Sequence, residues 1–187
     1  MRKVVLFMMV SLDGYFEGEN HDLSWHNVDE EFNEYAVRNL DTADTLLFGR
    51  KTYQLMESFW PTTQGLEDDP TVAEKMNTMA KIVFSHSLDK VTQTEHWKNV
   101  VLIKDNIAGG IMKLKALPGK DMLVLGSSNL CVSLLEHGLL DELRIMINPV
   151  VIGKGTPLFE GIKKVQKFTL ISSRNFTSGN VLLTYQV

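Results

Sequence analysis

Cysteine occurs once in this 187-residue chain, as Cys131. One thiol can form no internal disulfide and cannot build a cysteine-rich zinc site. That absence excludes the zinc deaminases, which need H-x-E together with P-C-x-x-C. Charge of one sign is also scarce, with 19 Lys and Arg against 23 Asp and Glu, a net charge of −4. Such a balance carries no electrostatic footprint for gripping a nucleic-acid backbone. With 5 prolines and 13 glycines, collagen-like and linker-type chains are excluded. No apolar run approaches the roughly 20 residues that cross a bilayer. Arg2-Lys3 before Val4–Val10 has the outline of a signal peptide, but no small-residue cleavage site follows and Asp13-Gly14 interrupts it. What is present is ordinary: 44% apolar and 22% charged residues, the composition of a globular chain able to bury one core. The expectation is a cytoplasmic protein with no membrane or nucleic-acid partner.

The order of segments gives the fold class. Val4–Val10 is a continuous apolar, β-branched-rich run, as expected of a strand covered on both faces. Ser11 to Asn27 is polar and long, and structureless loops beyond about 12–15 residues are often functional. Phe32, Tyr35, Ala36 and Leu40 recur at helical spacing after Asn27 or Asp29 as cap. Strands are predicted at Thr45–Phe48, Lys81–Phe84, Val100–Ile103 and Met122–Leu125. Helices are predicted at Lys51–Ser58, Thr71–Met79, from Ile107 to near Pro118, and at Asn129–His137, with a loop from Trp60 through Pro70. Glu142–Val151, Phe168–Ser173 and Val181–Gln186 then follow as consecutive strands, the last two joined around Thr177-Ser178-Gly179-Asn180. Alternation followed by consecutive strands predicts an α/β fold, mainly parallel with an antiparallel C-terminal part.

Standard signatures are missing. There is no G-x-G-x-x-G after the first strand, no P-loop and no G-x-S-x-G elbow. Gly109-Gly110 is read as lying at or inside a helix without a useful strand before it. His21, His26, His86, His96 and His137 have no metal-ligand spacing, so no metal is expected. Cys131, between Leu130 and Val132, reads as core. Three strand-to-helix junctions remain: Phe48-Gly49-Arg50-Lys51-Thr52, Phe84-Ser85-His86-Ser87 and Leu125-Gly126-Ser127-Ser128-Asn129. In a parallel sheet such junctions line one crevice, where small residues and free helix N–H groups favour a phosphate. Arg50, Lys51, Ser85 and Ser127 would add donors. Among the carboxylates, Asp13 follows the first strand and either points into the crevice or makes a turn before Gly14. Glu30 and Glu31 open a helix, where acids favour the dipole without any function. Trp25 reads as a lid hydrophobe or substrate platform.

Taken in order, these segments resemble the dihydrofolate-reductase-like family, most closely stand-alone relatives of the reductase domain in the bifunctional riboflavin-biosynthesis deaminase-reductase. The resemblance spans nearly the whole chain as one domain, 1–187. It rests on Met8-Met9-Val10-Ser11-Leu12-Asp13-Gly14, Thr45-Leu46-Leu47-Phe48-Gly49-Arg50-Lys51-Thr52-Tyr53, Lys81-Ile82-Val83-Phe84-Ser85, Leu125-Gly126-Ser127, Gly138-Leu139-Leu140-Asp141-Glu142-Leu143, and Pro149-Val150-Val151-Ile152-Gly153-Lys154-Gly155-Thr156-Pro157-Leu158-Phe159. It implies an αβα sandwich around a mixed sheet that binds NADPH. By it, Gly49, Arg50, Lys51 and Thr52 would hold phosphates, and Ser85 and His86 would sit by the 2′-phosphate. Gly126, Ser127, Ser128, Asn129 and Leu130 would cover the pyrophosphate and ribose, with Val10 and the Tyr15-to-Gly18 loop edging the nicotinamide. Two positions depart from the family pattern: Gly126-Ser127 replaces Gly-Gly, and His86 stands where Arg, Lys or Ser is usual. The folate-binding acid of the first helix falls on Asn33 or Glu30, depending on which end is counted from. The resemblance implies an NADPH-dependent reductase of a small pterin-like, ribosylaminopyrimidine-like or carbonyl substrate, acting as a homodimer. Asp13, Glu30, Glu31 and Trp25 are the candidates for acid and lid. A non-catalytic NADP(H)-binding sensor is the alternative.

Overall fold

The computed structural model describes residues 1–187. Ten strands and six helices follow in the order β1 (Val4–Val10), β2 (Tyr15–Glu17), α1 (Glu30–Asp41), β3 (Ala43–Gly49), α2 (Arg50–Phe59), α3 (Thr63–Asp68), α4 (Pro70–Thr78), β4 (Ala80–Phe84), β5 (Val100–Ile103), α5 (Ile107–Ala116), β6 (Asp121–Leu125), α6 (Ser128–Glu136), β7 (Glu142–Ile147), β8 (Thr156–Pro157), β9 (Thr169–Asn175) and β10 (Val181–Gln186). Eight of the strands form one sheet, in the order β5-β4-β3-β6-β1-β7-β10-β9. The first six are mutually parallel, and β10 and β9 close the sheet antiparallel. This is the mixed sheet expected from the segment order.

Right-handed crossovers decide which helix covers which face. Moving from β1 to β3 and on to β4 places α1, α2 and α4 on one side. Returning from β5 to β6 and then to β7 places α5 and α6 on the other. Side chains obey the two-residue strand period. Val4, Leu6, Met8 and Val10 of β1 join Ile111 of α5 and Leu130, Cys131 and Leu134 of α6. Val5 joins Leu40, Tyr53, Val72 and Met76 on the opposite face. Burial pushes the Cys131 thiol up to about 12, so it is an inert core residue, as its neighbours suggested.

The crossover from β4 to β5 contains no helix. Fully buried Trp97 fills that layer against Tyr53, ring centroids 6.2 Å apart. The Trp97 ring also lies under the ammonium of buried Lys81, whose Nζ is 4.5 Å from its centroid. That ammonium donates to the carbonyls of Asn77, Met79 and Lys98, which satisfies its three donors. Trp97→Ala would remove a whole layer of packing and cost about 3–5 kcal/mol.

Several boundaries differ from the sequence reading, each for a local reason. The Ser11–Asn27 loop contains β2, paired with β8, and a 3-10 turn at Glu19–His21. The Trp60–Pro70 segment contains α3, because Thr62 caps it through Gly65 N–H and Gly65 has no Cβ to strike the Phe59 carbonyl. β7 ends at Ile147 rather than Val151. Buried Asn148 turns the chain there, its N–H reaching the Val10 carbonyl at 2.7 Å, and Pro149 has no N–H to continue a ladder. The cap of α1 is Asp29, whose carboxylate accepts from Phe32 N–H at 2.8 Å.

Candidate active site

The carboxyl ends of β4, β3, β6 and β1 stand side by side on one edge, so the three junctions and Val10 are brought together there. β3 runs into α2 at Gly49 and β6 runs into α6 at Ser127, on adjacent strands but opposite faces. These two helix starts interlock. A Cβ on Gly49 would meet Ser127 Oγ at 2.3 Å, and one on Gly126 would meet Thr52 Cγ2 at 3.0 Å. Gly126 takes φ +82 and Ser127 takes φ +74, ψ 92. The latter is a left-handed conformation that a non-glycine residue adopts at a cost of about 1–3 kcal/mol. Strain is thus concentrated where the sequence departs from Gly-Gly.

Helix α1 has Glu30 and Glu31 in its first turn, whereas α2 and α6 have no acid there. Their positive ends are not neutralised internally and are open to an external anion. Arg50 and Lys51 are exposed in the first turn of α2, with Arg50 Nη1 only 3.4 Å from Gln54 Oε1. The glycine-lined, cation-flanked pair of starts therefore fits a phosphate-bearing cofactor, and the absence of a Cβ at Gly49 is what lets Ser127 Oγ approach it.

The remaining predicted residues divide. Ser85 is buried and its Oγ accepts from Leu88 N–H at 3.0 Å, so it caps the turn after β4. His86 beside it is exposed and faces Asp105, 3.3 Å away. Asn129 is exposed and Ser128 half-buried, but the Leu130 side chain packs into the core. Only Leu130 N–H faces the junction, donating to Ser127 Oγ at 3.4 Å. Buried Gly18 donates to the Asp22 carbonyl at 2.8 Å, starting the tight turn of the loop. Gly109-Gly110, read as following no strand, opens α5 after β5 and makes a fourth junction on this edge.

The acids behave differently from one another. Asp13 accepts from Gly153 N–H at 2.8 Å and Ile152 N–H at 3.3 Å. The Ser11 side chain, then these N–H groups, hold its carboxyl below the usual range, so it ties the turn after β1 to the loop after β7. Glu31 accepts from Thr177 N–H at 2.8 Å and Arg174 at 2.7 Å, and these partners lower it likewise. Glu30 is exposed with no bonded partner. Trp25 donates to the Asp22 carbonyl at 3.1 Å and meets His26 edge-on, centroids 4.4 Å apart. With Gly18, Asp22, Gly153 and Lys154 it lines an open cleft of about 620 Å³ beyond β1. Burial lowers the His26 imidazole, whose Nε2 is enclosed without a partner.

Sequence reasoning missed two features. Phe7 and Leu125 are paired across β1 and β6 on the α1/α2 face. They are only partly buried where their strand neighbours are sealed, leaving an apolar floor beside the junctions. Spacing cannot reveal this, because both lie inside continuous apolar runs. Asn27, Asn148 and Asn180 form the second. Asn148 Oδ1 accepts from Asn27 N–H, and Asn180 Nδ2 donates to the Asn27 carbonyl, both at 2.8 Å, pinning the end of the loop.

Comparison with known proteins agrees with this architecture. The Bacillus subtilis (strain 168) protein YyaP, itself uncharacterized, is 33% identical over 186 residues, covering 98% of this chain and 94% of its own. A Shewanella sp. PV-4 protein provisionally assigned to riboflavin biosynthesis superposes with a TM-score of 0.76 at 26% identity, over 98% of both chains. Dihydrofolate reductase from Enterococcus faecalis, solved with NADP(H), superposes with a TM-score of 0.62 at 16% identity, over 98% of this chain and 95% of its own, and so shares the fold. The family model of the RibD C-terminal domain matches residues 2–182. The chain therefore belongs to the RibD C-terminal domain family, built on the dihydrofolate-reductase-like fold.

Proposed function

We propose that residues 1–187 form one NADPH-dependent reductase domain that transfers a hydride to a small heterocyclic or carbonyl substrate. The observation that carries this reading is the interlock of Gly49 with Ser127 and of Gly126 with Thr52, beside Arg50 and Lys51. It brings two helix starts without first-turn acids close together, where one pyrophosphate would span both. The family match and the NADP(H) found with the E. faecalis protein support the same cofactor. When bound, NADPH supplies the hydride.

The chain's own residues do the rest. Gly49, Thr52, Gly126, Ser127 and Ser128 line the phosphate cradle, and Val10 and Gly18 mark the end nearer the loop. Phe7 and Leu125 give a planar substrate an apolar floor. Trp25 and the Ser11–Asn27 loop exclude water from the cleft. Asp13 and Glu31 are engaged by backbone N–H groups, so Glu30 is the acid left free to bind a polar substrate edge or pass a proton through water. The exposed, weakly charged edge strand β9, with Leu170 and Ile171 each more than half exposed, supports the homodimer. No helix is long and apolar enough to cross a membrane, and the free Cys131 suits a reducing cytoplasm.

The engagement of Asp13 and Glu31 favours a second reading, a nucleotide-binding module without turnover. Titration calorimetry with NADPH and NADP⁺ tests both. No binding at tens of micromolar would remove the cofactor, and with it both readings. NADPH consumption against pterins, ribosylaminopyrimidines and carbonyl compounds then separates enzyme from sensor.

A further inference from the structure

Asp105 stands just beyond β5 and His86 just beyond β4, on strands paired Phe84 to Ile103. The imidazole Nδ1 is 3.3 Å from Asp105 Oδ1, with the two side chains 72% and 89% exposed. Asp105 also precedes Asn106, the N-cap of α5, so its charge complements the positive end of that helix. With phosphates over β3 and β6 and the reacting end at β1, as proposed above, a dinucleotide would have its adenosine end over β4 and β5. A carboxylate there accepts from a free ribose 2′-hydroxyl and repels a 2′-phosphate.

We propose that Asp105 sets the discrimination at the adenosine ribose. It engages His86 and would meet the ribose 2′-position of a bound dinucleotide, so the chain accepts NADH as well as NADPH. NADPH is held less tightly than Arg50, Lys51 and His86 alone would hold it. The inference rests on the cofactor reading above and deepens it. An exposed carboxylate beside a dianionic phosphate, in water-like surroundings with salt, opposes binding by about tenfold.

The test measures Kd for NADPH and NADH by titration calorimetry on the wild type, Asp105→Asn and Asp89→Asn. Asp89 is an exposed acid paired with Lys104 at 3.7 Å and controls for net charge. Asp105→Asn is expected to tighten NADPH about tenfold and to leave NADH unchanged or weaker. Asp89→Asn is expected to shift the NADPH-to-NADH ratio less than twofold. An unmoved ratio in Asp105→Asn overturns the proposal while the cofactor reading stands. Equal shifts in both variants also overturn it, since the effect is then bulk charge. Binding of neither nucleotide by the wild type overturns the cofactor reading and the proposal together.

Discussion

Gly49→Ala probes the interlock of α2 and α6 directly. The backbone at Gly49, φ −81 and ψ 165, accepts alanine without strain. By itself the change restricts the unfolded chain and stabilises by about 0.4–1 kcal/mol. The new methyl, however, would lie 2.3 Å from Ser127 Oγ and 3.1 Å from Ser127 Cβ. The hydroxyl can rotate away, which breaks its cap on Leu130 N–H and costs about 0.5–2 kcal/mol. The Cβ cannot rotate, so one helix start must shift, an overpacking cost of about 1–3 kcal/mol. The net expectation is a loss of about 1–3 kcal/mol, read as a lower urea midpoint at unchanged slope. Nucleotide affinity should fall at least tenfold, because the cradle is what moves. Ser127→Gly removes the obstructing atoms and relieves the φ +74 strain, so alone it should be neutral or stabilising. The double variant Gly49→Ala/Ser127→Gly should regain most of the lost stability, a coupling of about 1–2 kcal/mol. Strictly additive single effects would refute the interlock, and with it the anion cradle.

Lys81 gives a pH prediction. Burial lowers its ammonium from 10.5 to about 8, so the unfolded chain binds more protons between those values and stability rises with pH. The span corresponds to about 3 kcal/mol, read as the difference between urea titrations of the wild type and of Lys81→Met. The rise is cut off above about pH 9, because burial raises the Cys131 thiol from 9.0 and the Tyr35 hydroxyl from 10.0, each to about 12, and their ionisation then favours the unfolded chain. A wild-type advantage over Lys81→Met that does not grow from pH 8 to 10 contradicts the buried, desolvated ammonium. Arg50→Ala should weaken NADPH about tenfold with little change for NADH, and equal weakening would place Arg50 on the pyrophosphate. Glu31→Gln should lower the melting temperature at pH 7, where the carboxylate holds Thr177 N–H and Arg174. It should make no difference once the pH falls below the lowered folded value, since the wild-type group is then protonated too. A loss of equal size at acid pH would mean that charge is not what ties α1 to the β9–β10 hairpin.

Fold class was legible because it is written locally. Apolar runs such as Val4–Val10 and Met122–Leu125, each followed by a polar turn and a helical period, define parallel strands without any knowledge of their partners. The three junctions were legible for the same reason, since Gly49, Ser85 and Gly126 mark the strand ends themselves. What stayed hidden depends on partners distant in sequence. Asp13 looks like a turn residue or a crevice acid until residues 152 and 153 are seen donating to it. Glu31 looks like a helix-opening acid until Arg174 and Thr177 close on it. Asp105 has no local mark at all; it matters because β5 lies beside β4. The 85–99 crossover was equally opaque, since nothing near Trp97 announces that one indole replaces a helix.

The strand order carries a consequence for how the chain comes to be folded. β6 separates β1 from β3, and the β1–β6 junction includes a bond from Lys3 N–H to Asp121, 118 positions away. Before residues 121–125 are available, β1 and β3 have no ladder between them, and α1 has no continuous surface to cover. Synthesis must therefore pass two thirds of the chain before the centre of the sheet can close. Loop closure over such a span is entropically slow, and it leaves the strand edges of β1 and β3 open in the interval. Refolding should accordingly be slow and concentration-sensitive. A chain cut at residue 120 should aggregate rather than yield a folded N-terminal piece.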